Sequence, residues 1–240
     1  MPTPQQQRRR RLRAMNLTDL GREFRTDKAG VHRYTQHYER HLRHLKDETF
    51  TLLEIGVGGY RRERKGGASL KMWKHFFPHA EIIGLDIEDK SWLNRRRITV
   101  VQGSQTDEEL VTRIVREAGG VRVVIDDGSH RPEHIRETFR FLFPQLEDGG
   151  IYCIEDTQTS YWPEWGGAED RHDPTTTMAL VKDLVDGLNY EEYVVDGYQP
   201  TYTDLNIVAV HCYHNLVILE KGRNEEGTNK EAVLRGRYST

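Results

Sequence analysis

Thr51-Leu52-Leu53-Glu54-Ile55 runs directly into Gly56-Val57-Gly58-Gly59, and the fold is read outward from this join. An apolar run that ends on a carboxylate and then on glycines predicts a buried strand. Its chain must turn sharply at Gly56 and Gly58 and let a ligand approach the backbone. The dinucleotide pattern G-x-G-x-x-G is absent, because Arg61 stands three places beyond Gly58 and a polar loop through Gly66 and Gly67 follows. Binding of a nicotinamide dinucleotide therefore loses ground.

On either side, short β-branched runs alternate with amphipathic segments, the pattern of a parallel sheet with crossover helices. Strands are predicted at Thr51–Ile55, Ile82–Asp86, Ile98–Val101, Val121–Ile125 and Ile151–Ile154, with helices at Ser69–Phe77, Glu108–Ala118 and Pro132–Phe143. A further helix around Met178–Leu188 precedes two apolar runs, Ile207–Tyr213 and Leu216–Glu220. Only His214 and Asn215 separate these runs, as in a tight hairpin. The result is an α/β, doubly wound, mostly parallel sheet ending in a C-terminal antiparallel hairpin. That ending resembles the class I, Rossmann-like methyltransferase fold.

Acidic residues mark the strand ends. Asp86 closes its strand where a carboxylate can accept both ribose hydroxyls, and Glu54 adds a second acid. Two carboxylates suit the cationic methionine end of S-adenosylmethionine better than a pyrophosphate, although both could instead cap helices. Asp107 fits an N-cap, and Ser69 opens a helix near the crevice as either a contact or a cap.

Val124-Ile125-Asp126-Asp127-Gly128-Ser129-His130 carries an acidic pair out of a buried strand, which is costly unless a cation meets it. Ile154-Glu155-Asp156 repeats the device. Asp127, Glu155 and Asp156 should converge at the carboxyl edge and repel one another unless they share a metal. Oxygen ligation favours Mg²⁺, which could hold two adjacent substrate hydroxyls and lower their pKa. His130, a few residues on, suits a general base, with bonding to backbone at the helix start as the alternative.

His130-Arg131-Pro132-Glu133-His134 also matches the zinc-peptidase pattern H-x-x-E-H, which needs both histidines on one helix. Pro132 belongs in a first helical turn, so His130 should precede the helix that contains His134. Thr157 to Gly167 forms an aromatic loop whose Tyr161 and Trp162 either meet a sugar ring or pack on the protein. Residues 14–49 hold Thr26-Asp27-Lys28, Tyr34, Tyr38 and Leu42, readable as a covering helix or as a lid over the crevice.

Lys and Arg total 35 against 38 Asp and Glu, a net charge of -3, so no global nucleic-acid signature exists. The arginine run within residues 1–15 is expected to be a flexible basic tail. Residues 16–222 should form the domain with its N-terminal helical lid, and residues 223–240 a C-terminal tail. The two cysteines, Cys153 and Cys212, fall in apolar runs expected to be buried. Apolar stretches are too short to span a bilayer, and a cytoplasmic protein is expected.

Taken together, Thr26-Asp27-Lys28 with Tyr34 and Tyr38, Glu54 to Gly58, Asp126 to His130 and Ile154-Glu155-Asp156 with Ser160-Tyr161-Trp162 resemble metal-dependent sugar O-methyltransferases. The macrolide deoxysugar enzymes of the mycinamicin and tylosin pathways are one such group. The resemblance implies S-adenosylmethionine and Mg²⁺ as cofactors, Asp127, Glu155 and Asp156 as ligands, and His130 as base. It also implies cofactor contacts from Gly103, Ser104 and Gln105, with Asp126 on the same side. Tyr34, Tyr38, Tyr161 and Trp162 become candidate saccharide contacts, and a homo-oligomer such as a dimer is expected. The macrolide enzymes carry a long N-terminal domain where this chain has a short arm, which favours a smaller or more extended saccharide. The sequence is also similar to the 1-O-methyltransferase of mycobacterial methylmannose polysaccharide synthesis, whose acceptor is a 3-O-methylmannoside. Catechol-type methylation, which likewise uses Mg²⁺, is the alternative.

Overall fold

The computed structural model describes residues 3–60 and 65–230. Seven strands form one sheet in the order β3-β2-β1-β4-β5-β7-β6. They are β1 Thr51–Ile55, β2 Glu81–Asp86, β3 Ile98–Gln102, β4 Val123–Asp126, β5 Ile151–Glu155, β6 Ile207–Tyr213 and β7 Leu216–Lys221. The first five pair in parallel, while β7 runs antiparallel to both β5 and β6. The hairpin reading holds, with Asn215 in the left-handed region at φ 62°. Because β4 ends one residue later than expected, Asp126 still belongs to the strand and only Asp127 leaves it.

Strand alternation feeds two apolar layers. Leu52, Val123, Ile125 and Cys153 face one side, packed by Leu17, Tyr38, Trp73 and Phe76. Leu53, Val124 and Ile154 face the other, against Val111, Phe139, Phe143 and Val181. The first layer is supplied by α1 Pro4–Ala14, α2 Leu17–Phe24, α3 Thr35–Leu42 and α4 Ala68–Phe76. The second uses α5 Glu108–Ala118, α6 Pro132–Leu142 and α7 Thr177–Gly187, and a short α8 Tyr202–Asn206 leads into β6. Asp107 does cap α5, accepting from Leu110 N at 3.0 Å.

Two boundary expectations change. Residues 4–14 are helical: Thr3 and Gln6 form a capping box, and Leu12 is buried against the first layer. Arg8, Arg10, Arg11 and Arg13 are thus exposed on a docked helix, because arginine favours helix and one leucine gives it an anchor. The expected tail from residue 223 is tied back at Asn224, whose Nδ2 donates to Leu188 O and Asp204 O at 3.2 and 2.9 Å. Residues 1–2 and 231–240 of the two expected tails lie outside the described residues. Cys153 is buried, but Cys212 is exposed, since the edge strand β6 turns alternate residues to solvent. Among the described residues, no helix is long and apolar enough to cross a membrane.

Candidate active site

At the carboxyl edge, where the strand order reverses between β1 and β4, a crevice of about 450 Å³ opens. This is the switch point at which open α/β sheets bind ligands. Five expected cofactor residues line it: Gly56, Asp86, Gly103, Ser104 and Gln105. Gly56 sits at φ 85°, and a Cβ there would fall 2.0 Å from the Asp127 carbonyl oxygen, so only glycine lets the two loops cross. Asp86 is buried and accepts from Val57 N at 2.8 Å, Tyr60 OH at 3.0 Å and Glu88 N at 2.9 Å. Gln105 joins the loop after β3 to β4, donating to Asp126 Oδ1 at 3.3 Å and accepting from Ser129 N at 2.8 Å.

The other four expected cofactor residues do not line the crevice. Gly58 gives its carbonyl to Lys90 Nζ at 2.5 Å. Ser69 is buried in the first turn of α4, behind the Gly67 cap. Asp126 lies under the crevice, accepting from Gln105 and from Tyr152 OH at 3.3 Å, and burial pushes its pKa up to about 7. Glu54 is fully buried, and neither of its oxygens has a well-formed hydrogen bond. Burial raises its pKa to about 7 against the pull of Lys28, whose Nζ stands 3.4 Å away.

Lys28 organises the acidic half of the site. Its ammonium is 1% exposed and donates to Asp127 Oδ2 at 2.5 Å and Glu155 Oε1 at 2.7 Å. Burial alone would lower its pKa, but Asp127, Glu155 and Glu54 together raise it well above the ordinary lysine value, so it stays charged. It reaches this point from a 3-10 turn, Asp27–Ala29, that packs on α2 at Gly21; a Cβ on Gly21 would meet Ala29 Cβ at 2.4 Å. The turn brings in the positive charge that the strand ends lack.

Tyr34 and Tyr38, expected as saccharide contacts, serve the same cluster. Both are buried. Tyr34 OH donates to Asp156 Oδ1 at 2.8 Å and Tyr38 OH to Glu155 Oε1 at 2.6 Å, so they position carboxylates and present no face to a substrate. The helix reading of this segment holds, with Tyr38 within α3 and Tyr34 at its N-terminal boundary. Tyr161, Trp162 and Trp165 of the aromatic loop are all exposed, and of the three it is Trp165 that borders the crevice, 6.2 Å from the His130 ring.

His130 precedes α6, whose N-cap is Arg131, as Pro132 requires. His134 lies inside that helix with Nδ1 2.9 Å from Ser129 Oγ, so the two histidines do not share a helix face. His130 and Asp156 both adopt left-handed backbone, at φ 56° and 54°, an uncommon conformation for non-glycine residues. These conformations turn His130 Nε2 to 3.7 Å from Asp156 Oδ2 and 3.9 Å from Asp127 Oδ1. The three donors lie within 4.8 Å of one another, and His130 among them lines the crevice. Two carboxylates and an imidazole at this spacing fit a divalent ion.

The set differs from the expected Asp127, Glu155 and Asp156, because Lys28 and Tyr38 both donate to Oε1 of Glu155. The sequence reading noticed Lys28 in the segment before β1 but gave it no role in the site, nor any to His32, whose Nδ1 is 3.3 Å from Asp156 Oδ1, or to Tyr60 and Trp165 in the crevice wall. The available signal was charge balance: acids end three adjacent strands with no base beside them in sequence.

No family model matches the chain. Among characterised proteins, it is 46% identical over 218 residues to the mycinamicin VI 2''-O-methyltransferase of Micromonospora griseorubida, covering 90% of this chain and 55% of that enzyme. It is 47% identical over 215 residues to the demethylmacrocin O-methyltransferase of Streptomyces fradiae, covering 88% and 54%. The chain thus spans about half the length of these relatives. The structure of MycE methyltransferase from the mycinamycin pathway, in complex with Mg and SAH, superposes with a TM-score of 0.87 at 42% identity, over 94% of this chain and 60% of that one. By sequence and by fold, the close homologues of this chain are the macrolide and deoxysugar O-methyltransferases.

Proposed function

We propose that this chain transfers a methyl group from S-adenosylmethionine to a sugar hydroxyl with the help of Mg²⁺. The observation that carries this reading is the switch-point crevice lined by His130, whose ring lies in one three-donor group with Asp127 and Asp156. It accords with the Mg and SAH of the MycE complex. When bound, the cofactor supplies an electrophilic methyl group and the ion acidifies the acceptor hydroxyl.

Asp86 would take the ribose hydroxyls, and Gly103, Ser104 and Gln105 the adenine. Asp127 and Asp156 of the three-donor group would hold the ion together with Glu155, which enters by the oxygen that Lys28 and Tyr38 leave and so frees His130 from ligation. His130 would accept the hydroxyl proton at Nε2, and the carboxylates beside it would stabilise the resulting imidazolium. Trp165 stands beside the ring, 6.2 Å away in the crevice wall.

The acceptor proposed is a deoxyhexosyl glycoside, because two further relatives, 44% and 42% identical, are named for L-rhamnosyl and L-olivosyl substrates. Labelled methyl transfer should be measured with such a glycoside, with a 3-O-methylmannoside for 1-O-methylation, and with a catechol. Transfer to the first alone supports the reading; transfer only to the mannoside or only to the catechol replaces the acceptor. Full activity in excess EDTA would remove the metal from the scheme. Replacing His130 with Ala should lower turnover by about 10²-fold or more while Mg²⁺ binding is retained. Loss of Mg²⁺ binding in that variant would make His130 a ligand and not the base.

A further inference from the structure

A second set of metal-type donors gathers outside the crevice, where α3 crosses the edge hairpin. His41 comes from the last turn of α3, His211 and Tyr213 from β6, and Glu220 from β7. The antiparallel register pairs Ala209 with Glu220, so His211, two residues along the strand, points to the same face. Both imidazoles aim a nitrogen at one carboxylate oxygen: His211 Nε2 is 2.9 Å and His41 Nδ1 is 3.4 Å from Glu220 Oε1. The two rings lie 4.2 Å apart. The three residues each offer one donor atom, all within 4.8 Å of one another.

We propose that His41, His211 and Glu220 form a second metal site, for a borderline transition-metal dication of the Zn²⁺ type. Three features support it. Two imidazole nitrogens and one carboxylate oxygen form a donor set that suits Zn²⁺ better than Mg²⁺. The other nitrogen of His41 is held by Tyr213 OH at 2.9 Å, the outer contact that fixes the orientation and tautomer of a ligating histidine. His211 and Glu220 are about one-third exposed, which leaves a fourth position open to water.

The consequence is mechanical. An ion here cross-links α3 to the sheet edge, and α3 is the helix whose Tyr38 reaches Glu155 across the core. The site therefore acts as a clamp on the helix that positions the acidic cluster, and it stabilises the native chain by mass action.

The test titrates Zn²⁺ alone into the chelator-treated full chain by calorimetry. The Asp156→Asn variant serves as the background, because it disables the other three-donor group. One Zn²⁺ per chain is expected in that background, with a rise in melting temperature. Adding His211→Ala or Glu220→Gln, both at partly exposed positions of the hairpin, should abolish the titration. Tyr213→Phe should weaken it by roughly 10- to 100-fold. The proposal fails if the Asp156→Asn chain binds no Zn²⁺, or if its binding survives His211→Ala and Glu220→Gln unchanged.

Discussion

The cofactor side and the acidic side of the crevice are built by different means. On the first, each residue follows its own strand: Gly56 after β1, Asp86 at the end of β2, Gly103 after β3. On the second, the acids that end β1, β4 and β5 are completed from far away. Lys28 lies 99 residues before Asp127 and 127 before Glu155, and Tyr34 lies 122 before Asp156. The cofactor side needs backbone freedom and one carboxylate, which short sequence segments supply. Several buried charges need a shared counter-charge, which no single strand end can supply.

Lys28→Met breaks the contrast most severely, because it leaves Glu54, Asp127 and Glu155 without their cation. Denaturant unfolding of the metal-free chain should show a loss of about 3–5 kcal/mol. A loss below about 1 kcal/mol would mean that the carboxylates simply protonate. Asp86→Ala should instead spare the acidic side and act on ligand binding. Removing hydrogen bonds to a charged group should weaken S-adenosylhomocysteine binding by roughly 1.5–3 kcal/mol in calorimetry, and an unchanged affinity would place the cofactor elsewhere.

Asp126 sharpens the comparison, since it sits between the two sides and has no cation. Burial raises its folded pKa to about 7 from an ordinary 3.8, so the folded chain holds a proton that the unfolded chain releases. Its contribution to stability is therefore full below pH 4 and falls as pH rises toward 7, with a slope of up to about 1.4 kcal/mol per pH unit. Asp126→Asn should flatten the stability profile of the metal-free chain in that window. A profile identical to wild type would show that Asp126 is ionised throughout. Tyr38→Phe, the mildest change, removes one hydrogen bond to Glu155 and should cost about 1 kcal/mol in thermal or denaturant unfolding.

Most of the sheet was legible because strand and helix periods are local. The run into Gly56, the hairpin at His214-Asn215 and the Pro132 boundary each rest on a few adjacent residues. The acidic strand ends were legible as a problem, but their solution was not. Tyr34 and Tyr38 read equally well as substrate contacts until their hydroxyls were seen on Asp156 and Glu155. Likewise, Glu54 and Asp126 looked like cofactor residues because sequence gives the strand end but not the depth of the side chain. Glu54 lies fully buried beside Lys28, and Asp126 lies beneath Gln105.

The sequence by itself determined the parallel sheet, its glycine turn, the acids at its carboxyl edge and the place of His130 before a helix. Each follows from period, backbone freedom or proline geometry within a short window. Only the tertiary structure decided what neutralises those acids, because Coulomb energy depends on distance in space. A 3-10 turn near the start of the chain sets Lys28 among carboxylates from three strands, and α3 meets the edge hairpin with His41, His211 and Glu220.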